Sequence, residues 1–483
     1  MEREQSKKLK NSIIYIIGAV LTGFISFLNA PVLTRCLTTE VYVQYSLFVS
    51  FVSAVITISY LGYDSSYIRF YYKNVGFGFV VKCIKYPLLF WILISICIIL
   101  CRTNFMITVL GTELSILECL FICLYLLIRI IARFTIMTMR MEGFAWNYVI
   151  GDSGSALVFI LGILLVKAIY GYVSFLSIVV CFTIDFIFEI LLNLTKFPKS
   201  NRAITIKNKI TTTGNELFKF GIFIGISSGI MFFIPLIQKV IVKSLLDTNN
   251  VAIYYATSIF ATAISLISVS VNNIWEPTVY KATNEGKDIK PTFHKYGIFL
   301  SWFLLSVLGG VIALRRVLIL VLAKQYYSAY IIAPCITFSA CMAIIYQFYS
   351  IGIEIEKKTW IRSVIPIIDV AVSVGLLYPL SQIFSIQGVA LAILIGSLSS
   401  KLIGILVGIR FYSTGKSMIL SITCWLFSLI SSVVSLFSIS FVSDLIVGIS
   451  IILIGYFICR KQINAIIKKV YFEKIQSRRK GKI

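Results

Sequence analysis

The sequence predicts an all-α integral membrane protein with about 14 transmembrane helices. Of its 483 residues, 59% are hydrophobic and only 13% are charged, which lies far outside the range of soluble globular domains. The apolar stretches run to about 20 residues, the length that spans a bilayer as a helix. They lack the alternating pattern of roughly 10-residue strands that is typical of an outer-membrane barrel.

The predicted spans fall into two series of six and a final pair. The first series defines an N-terminal lobe, residues 1–195, with spans near 13–34, 43–64, 86–101, 114–138, 147–166 and 170–193. A basic cytoplasmic linker at 196–219 leads to a second lobe, residues 220–410, with spans near 220–242, 251–275, 297–322, 329–352, 364–383 and 387–409. Two more spans, 418–440 and 443–459, lie within residues 411–459 and precede a basic cytoplasmic tail at 460–483.

The positive charges predict the orientation, because the cytoplasmic loops of inner-membrane proteins carry an excess of lysine and arginine. With both termini in the cytoplasm, all but eight of the 44 lysines and arginines fall on the cytoplasmic side. The eight are Arg35, Arg102, Lys167, Lys239, Lys243, Arg315, Arg316 and Lys324. Anionic lipid headgroups account for the net charge of +24, so no nucleic-acid partner is expected. The tail is interpreted either as a basic amphipathic helix on the inner leaflet or as a solvated extension.

The two lobes resemble each other weakly, which indicates an internal duplication. Tyr45 after span one and Tyr255 after span seven follow similar polar links at an offset of 210 residues. Gly171 and Gly388 mark similar turns at an offset of 217 residues. Duplicated lobes place a substrate site near the midplane and are typical of alternating-access transporters. We therefore expect two pseudo-repeated six-helix lobes around a central cavity, plus two C-terminal helices.

Charged residues inside the spans point to a cavity or to buried partners, because each costs about 2.5–3.5 kcal/mol on insertion scales. Arg129 and Arg133 lie four residues apart on one face of span four. A structural ion pair between Arg133 and Asp152 of span five is the alternative to a role in a cavity. Asp185 and Glu189 repeat the same spacing on span six, where they would balance the two arginines.

Other unusual residues in the spans also have two interpretations each. Arg35 at the end of span one is either a site residue or an interface anchor whose side chain reaches the headgroups. Glycine recurs at every fourth position from Gly221 to Gly229 in span seven, which indicates close helix packing or a bending gate. Asp369 and Lys401, on spans eleven and twelve, are predicted to form a structural pair.

The remaining reactive residue types argue against a metal site, a cofactor or an enzyme. The eleven cysteines mostly lie in or beside apolar stretches without a Cys-x-x-Cys motif, so they are interpreted as small apolar side chains. The single histidine, His294, lies in a polar segment. An integral-membrane polymerase or acyltransferase would be expected to have an embedded histidine or a large external loop, and the sequence predicts neither.

Three segments carry a resemblance to a known family. Residues 31–38 contain Pro-x-x-Thr-Arg-x-Leu-Thr within an opening segment, 11–45, that begins Asn-Ser-Ile-Ile-Tyr. Residues 61–72 contain Leu-Gly and, after six intervening residues, Arg-Phe-Tyr-Tyr, and residues 388–390 are interpreted as a Gly-Val-Ala turn. Over essentially the whole chain, the sequence resembles the Wzx-type polysaccharide transporters of the multidrug/oligosaccharidyl-lipid/polysaccharide exporter superfamily. It departs from that family at Val43, where glycine is common, and in its span count, because many members are assigned twelve.

The resemblance implies a flippase that moves polyprenyl-diphosphate-linked oligosaccharide units of O-antigen, capsule or exopolysaccharide to the outer leaflet by alternating access. Spans one, two, seven and eight line the cavity in that family, which sets the order of the candidates. Cationic side chains expected to bind the diphosphate are Arg35, Arg69 and Lys239, followed by Arg129 and Arg133. Carboxylates expected to couple transport to an ion are Asp64, Asp152 and Glu276. The expected partners are the lipid-linked oligosaccharide, membrane lipids and other polysaccharide-assembly proteins.

Two other functions within the same superfamily are alternatives. A cation-coupled drug or metabolite antiporter would bind a smaller, cationic ligand through aromatic and carboxylate side chains, whereas the candidate cations favour an anionic one. A lipid II flippase is the other alternative, because the related lipid II flippases have fourteen spans. The genes adjacent to this one would discriminate these alternatives, since neighbouring glycosyltransferases indicate glycan export.

Overall fold

The computed structural model describes residues 2–71, 77–195, 212–284, 290–356, 358, 360–412, 417–438 and 440–480. Within these ranges the regular elements are helical, as the all-α prediction requires. The chain divides into two compact units, Met1–Ala256 and Thr257–Ile483. The predicted lobe boundaries at 195 and 220 remain a prediction, and the first part of the predicted linker, 196–211, lies outside the described residues.

The first unit is built from helices joined mostly by short links. They are α1 (Glu2–Cys36), α2 (Thr39–Ser59), α3 (Tyr63–Phe70), α4 (Phe77–Leu100), α5 (Asn104–Leu110), α6 (Ile116–Met141), α7 (Ala145–Tyr170), α8 (Phe175–Leu194) and α9 (Gly214–Leu245). The start of α10 (Thr248–Asn284) belongs to this unit and the rest of α10 to the second unit.

The second unit contains the remaining helices and two short 3₁₀ segments. The helices are α11 (Lys290–Leu318), α12 (Ala333–Tyr349), α13 (Gly352–Ile355), α14 (Trp360–Phe411), α15 (Ser417–Leu436) and α16 (Phe441–Lys480). The 3₁₀ segments, Ile319–Val321 and Lys324–Tyr330, join α11 to α12. The backbone of the predicted tail continues α16 as a helix to Lys480, and its position on a leaflet remains a prediction.

Side-chain caps fix where several of these helices begin. Ser115 precedes α6, where its Oγ accepts from the Glu118 amide at 3.2 Å while the Glu118 carboxylate accepts from the Ser115 amide at 2.8 Å. Thr213 and Glu216 form the same reciprocal arrangement before α9. Such caps satisfy backbone N–H groups that have no partner within the helix, so polar residues mark the starts of helices that are otherwise apolar.

The helices have the length and composition of a multi-pass membrane protein. Among the described residues, nine helices are long and apolar enough to cross a membrane. A further candidate is the pair formed by Lys324–Tyr330 and α12, which are bent by 61° relative to each other. Each predicted span overlaps a helix, and the total of about 14 spans remains a prediction.

The longest helical stretch, α14, is a hairpin that accommodates two predicted spans. Its backbone leaves the helical region at Ser385, where φ is 49° and ψ is −127°. Lys401 Nζ lies 2.7 Å from Asp369 Oδ2, although 32 positions of continuous helix would separate these residues by about 48 Å. The chain therefore folds back on itself at Ser385. The ion pair of Asp369 with Lys401, which the sequence predicted, is confirmed.

The glycines of α9 permit direct backbone contact with the turn that joins α2 to α3. A Cβ atom built on Gly221 would lie 2.4 Å from the Gly62 carbonyl oxygen, and one on Gly225 would lie 2.7 Å from the Gly62 nitrogen. Gly62 itself has a φ of 73°, a conformation that L side chains rarely adopt. Close packing therefore explains the glycine spacing in α9, and it also explains why Leu-Gly opens the 61–72 motif.

We expect Gly221→Ala and Gly225→Ala each to destabilise the protein by about 1–3 kcal/mol, the usual cost of overpacking. The neighbouring atoms belong to the backbone and cannot rotate away. Gly310→Ala in α11 is the matched control, because a Cβ at Gly310 meets nothing within 4 Å. Thermal unfolding of the purified protein in detergent measures the difference. A Gly221→Ala protein as stable as the Gly310→Ala protein would contradict the observed contact.

Candidate functional site

A cavity of about 360 Å³ lies inside the first unit, and we call it the first cavity. Side chains of α2, α6, α7, α8 and α9 line it, together with one residue of α3. Its charged lining residues are Asp64, Arg129, Arg133, Asp152 and Glu189. Two candidate diphosphate-binding residues and two candidate ion-coupling residues from the sequence are thus brought together. Such a concentration of charge within apolar helices is typical of a substrate pathway.

Arg133 presents the more accessible guanidinium of the cavity. Its Nη2 lies 3.2 Å from Asp64 Oδ2, and its side chain is 46% exposed. The predicted pair of Arg133 with Asp152 is therefore wrong, since Asp152 Oδ2 instead accepts a hydrogen bond from Thr22 Oγ1 at 2.8 Å. The reason lies in the turn before α3, which folds the short helix so that Asp64 faces α6.

Arg129 is held more rigidly, one helical turn away from Arg133. Its Nη1 donates to the Tyr125 hydroxyl at 2.5 Å, and its guanidinium carbon lies 5.2 Å from the centroid of the Phe186 ring. Aromatic rings favour a cation in this position because their faces are electron-rich. Asp185 of α8 interacts electrostatically with Arg129, although one of its carboxylate oxygens is buried without a hydrogen-bond partner.

Carboxylates from three other helices complete the charged lining of the first cavity. Glu189 is only 4% exposed and interacts electrostatically with Asp152 and with both arginines of α6. Asn193, one turn further along α8, is fully buried, and neither polar atom of its side chain has a partner among the described residues. The cavity lining therefore combines two arginines with three carboxylates. It is a site of mixed charge, whereas the sequence suggested an excess of cations.

Lys239 lies outside the lining of the first cavity, in the contact between α9 and α2. Its Nζ donates to Ser46 Oγ at 2.8 Å, to Ser50 Oγ at 2.9 Å and to the Ser46 carbonyl at 3.1 Å. The ammonium also lies 5.1 Å from the centroid of the Tyr255 ring. In the described part of the chain, hydroxyl groups, a carbonyl and a ring therefore take the place of a carboxylate partner for this lysine.

The other candidates from the sequence do not join the first cavity. Arg35 is exposed at the last turn of α1, and Arg69 is exposed on α3. The side chain of Glu276 lies outside the part of the structure that is described, so its candidacy rests on the sequence. The roles of these three residues remain predictions.

Sequence reasoning overlooked the neutral residues that hold the charged ones. Tyr125 precedes Arg129 by four positions, a spacing that places them on one helix face and was readable from the sequence. Phe186 and Tyr60 had no such signal, because Phe186 lies on α8 and Tyr60 lies in the turn after α2, whereas the arginines that they contact lie on α6. Thr22 likewise reaches Asp152 across 130 residues of sequence. These contacts depend on how the helices pack.

The comparisons with known proteins agree with this architecture. Residues 8–282 match the family described as "Polysaccharide biosynthesis protein", which is more than half of the chain. The chain belongs to this family. The matched segment includes every residue that lines the first cavity. The site therefore lies within the part of the chain that matches the polysaccharide biosynthesis family. No curated protein matches the chain significantly.

Solved structures share the fold of this polysaccharide biosynthesis protein. Lipid II flippase MurJ in an inward closed conformation matches with a TM-score of 0.60 and 17% identity, over 94% of this chain and 100% of that chain. An inward-facing multidrug resistance MATE family transporter of the MOP superfamily matches with a TM-score of 0.62 and 12% identity, over 84% and 99%. A Vibrio cholerae MATE transporter, VcmN, has a TM-score of 0.54 at 12% identity, over 85% and 98%. These structures show that the chain has the fold of these membrane proteins, in agreement with the all-α integral membrane fold that the sequence predicted.

Proposed function

We propose that this protein is a flippase for polyprenyl-diphosphate-linked oligosaccharide units, which it moves from the cytoplasmic to the outer leaflet by alternating access. Membership of the polysaccharide biosynthesis family and the first cavity support this function. The proposed location is the inner membrane, with both termini in the cytoplasm. In this orientation, the first cavity lies in the cytoplasmic half of the first unit, because α1 runs outward and α2 ends near the cytoplasm.

The physical problem is to move hydroxyl groups through lipid. Each buried hydroxyl without a partner costs roughly 2–7 kcal/mol, so an oligosaccharide needs a polar path. Ser53 and Thr57 of α2 and Ser228 of α9 line the first cavity beside the charged residues. The polyprenyl chain would remain in the lipid while the headgroup passes along this polar surface.

Arg133 is the residue that we propose to bind the diphosphate. Arginine presents several N–H donors in a planar fork that matches phosphate oxygens. Arg133 is half exposed and bound to a single carboxylate. A diphosphate that enters the cavity would therefore displace Asp64 and accept hydrogen bonds from the Arg133 guanidinium. Arg129, which is already held by Tyr125, would add its charge from deeper in the cavity. Arg35, Arg69 and Lys239 are proposed to act elsewhere on the path.

We propose that transport is coupled to an ion through carboxylates of the first cavity, which can bind a cation when the substrate leaves. Asp64 loses its partner when diphosphate binds Arg133, and Asp152 lies in the same cavity, so both are placed to bind an ion as the substrate leaves. Glu276 is the third candidate. The glycan carried, whether O-antigen, capsule or exopolysaccharide, and contacts with other polysaccharide-assembly proteins also belong to this proposal.

The test is Arg133→Ala in cells that depend on this protein for surface glycan. Loss of one or two charge-assisted hydrogen bonds predicts about 10–100-fold slower translocation of lipid-linked oligosaccharide. Arg133→Lys keeps the charge without the planar fork and should retain part of the activity. Arg410→Ala, at an exposed arginine outside the first cavity, is the control. Undiminished glycan export by folded Arg133→Ala protein would refute this role.

A cation-coupled antiporter for drugs or metabolites is the second candidate function. The three carboxylates in the first cavity favour it, since they suit a cationic ligand. The two functions predict different phenotypes. If the protein is an antiporter, deletion of the gene makes cells more sensitive to cationic toxins and leaves surface glycan unchanged. If it is a flippase, deletion removes surface glycan and leaves the sensitivity to cationic toxins unchanged.

A further inference from the structure

A second cavity, of about 310 Å³, lies in the first unit at the opposite end of α2 from the first cavity. The starts of α2 and α10 and the ends of α5 and α9 surround it. Gln44 lines the second cavity and Thr57 lines the first, and 13 residues of helix place them about 20 Å apart. In the proposed orientation, the second cavity faces away from the cytoplasm.

Polar side chains in the second cavity have unused hydrogen-bonding capacity. Glu40, Gln44, Thr112 and Thr248 line the cavity, and their side chains make no hydrogen bond or ion pair to any described residue. Lys243 Nζ donates to the Ile107 carbonyl at 3.1 Å, which leaves two of its three donors available. These groups converge from four separate elements, so they can contact one small molecule from several sides.

The backbone around the second cavity is shaped to admit Lys243. Gly111 follows α5 with a φ of 92°, and a Cβ there would lie 2.7 Å from Lys243 Nζ. Glycine therefore satisfies both the turn and the approach of the lysine, whereas any other residue would displace the ammonium from the cavity wall.

The charges around the second cavity favour a neutral ligand over an anion. The lining contains one cation, Lys243, and one carboxylate, Glu40, so the two charges cancel. The helix starts that border the cavity are already capped: Thr38 Oγ1 accepts from the Val41 amide, and Asp247 Oδ2 accepts from the Asn250 amide at 3.2 Å. Slight burial alone raises the pKa of Asp247, but the hydrogen bonds from Asn250 outweigh it and leave the pKa below its usual value. The cap of α10 therefore carries a negative charge of its own.

A sugar residue fits these properties. Each sugar hydroxyl both donates and accepts, and the cavity offers a carboxylate, an amide, two hydroxyls and an ammonium. The volume lies at the lower end of the roughly 300–1,000 Å³ range of small-molecule sites, which suits one sugar ring better than a whole oligosaccharide.

We infer that the second cavity binds a neutral sugar residue of the glycan headgroup, at the opposite end of α2 from the first cavity. This inference rests on the proposed flippase function and adds a second binding site to it. Along the pair α2 and α9, Lys239 with Ser46 and Ser50 lies between the two cavities. The headgroup would pass this contact on its way from the first cavity to the second.

The test measures binding of free sugars to the purified full-length protein in detergent by saturation-transfer NMR. The probes are methyl glycosides of neutral hexoses and N-acetylhexosamines at millimolar concentration. We expect a signal from at least one probe, weakened at least fivefold in Glu40→Gln and in Gln44→Leu. Glu113→Gln is the matched control, because Glu113 is an exposed carboxylate close in sequence to Thr112 and outside the cavity lining. Its signal should equal that of the unmodified protein.

Three outcomes would overturn the inference: no signal from any probe, equal signals from Glu40→Gln and Glu113→Gln, or displacement of the sugar by inorganic phosphate in a Lys243-dependent manner, which would indicate an anion site. The Arg133→Ala protein separates this inference from the proposed function. Normal sugar binding by Glu40→Gln together with failed export by Arg133→Ala refutes only the second site. Normal export by Arg133→Ala refutes instead the role of Arg133 in the proposed function.

Discussion

Asp444→Ala is expected to destabilise the second unit by about 3–5 kcal/mol, the usual cost of leaving a buried charge without its partner. Asp444 Oδ1 lies 2.6 Å from Arg315 Nη2, and both side chains are fully buried. The other carboxylate oxygen lies 2.8 Å from Arg316 Nε. Removal of this one carboxylate therefore leaves two neighbouring arginines in α11 without their counter-ion. The measurement is the thermal unfolding midpoint of the purified protein in detergent.

Asp369→Ala is the matched control for this prediction. It also breaks an ion pair between helices of the second unit, but both side chains of that pair, Asp369 and Lys401, are partly exposed, at 11% and 15%. Water or headgroups can replace the lost partner, so the destabilisation should be smaller. Replacement of the Arg315–Asp444 pair by Met and Leu should restore much of the stability, since apolar residues of similar size often substitute for a buried pair. Arg316 then lacks its carboxylate, but its side chain is 26% exposed and can reach water or headgroups. Equal unfolding midpoints for Asp444→Ala and the unmodified protein would contradict the prediction that the buried Asp444 carboxylate stabilises the second unit.

The sequence predicted the helices because hydrophobic length and charge are local properties. Every predicted span overlaps a helix, and the hairpin in α14 matches two predicted spans. The turn predicted at 388–390 is misplaced, because the chain reverses at Ser385 and residues 388–390 already lie in the second arm of the hairpin. The pair of Asp369 with Lys401 was also predictable, because a short turn between two antiparallel helices brings together residues that lie equally far from the turn. Within such a hairpin, each of these two charged residues has few other possible partners.

Contacts between distant helices were not predictable, because the rotation of each helix depends on packing. Arg133 and Asp152 lie at similar depth on adjacent helices, yet Arg133 is paired with Asp64. The turn at Gly62, packed against Gly221 of α9, decides this outcome. The burial of Arg315 with Asp444 was missed for the same reason: 129 residues separate them, and the two arginines of α11 were only assigned to the non-cytoplasmic side.

The mixed charge of the first cavity changes what its arginines are expected to do. An excess of cations would bind a diphosphate tightly and release it slowly. Carboxylates beside each arginine provide an alternative partner, so the substrate exchanges with an internal ion pair and the protein avoids an unpaired buried charge in either state. Such an exchange requires one arginine that moves and one that is fixed. Arg133, half exposed on Asp64, fits the first role, and Arg129, held between rings, fits the second.

Arg129→Ala is expected to destabilise the first unit by about 1–3 kcal/mol, the usual cost of leaving a buried polar group without its partner, in contrast to Arg133→Ala. Asp185 is only 5% exposed, and one of its oxygens has no hydrogen-bond partner among the described residues. The charge of Arg129 reduces the cost of that burial but does not cancel it. Without Arg129, the carboxylate remains in an apolar helix bundle. The amount of folded protein in detergent extracts and its unfolding midpoint measure this effect.

The double variant Arg129→Ala with Asp185→Asn separates the structural role of Arg129 from its role in transport. Neutralising Asp185 removes the unpaired charge, so the double variant should recover most of the stability lost in Arg129→Ala, a non-additivity expected of coupled residues. Its glycan export should nevertheless stay low, because the fixed positive charge that would attract a diphosphate is still missing. A double variant no more stable than Arg129→Ala would show that Asp185 does not depend on this arginine. A double variant that is stable and fully active would show that Arg129 has only a structural role. Arg133 would then bind the diphosphate without a contribution from Arg129.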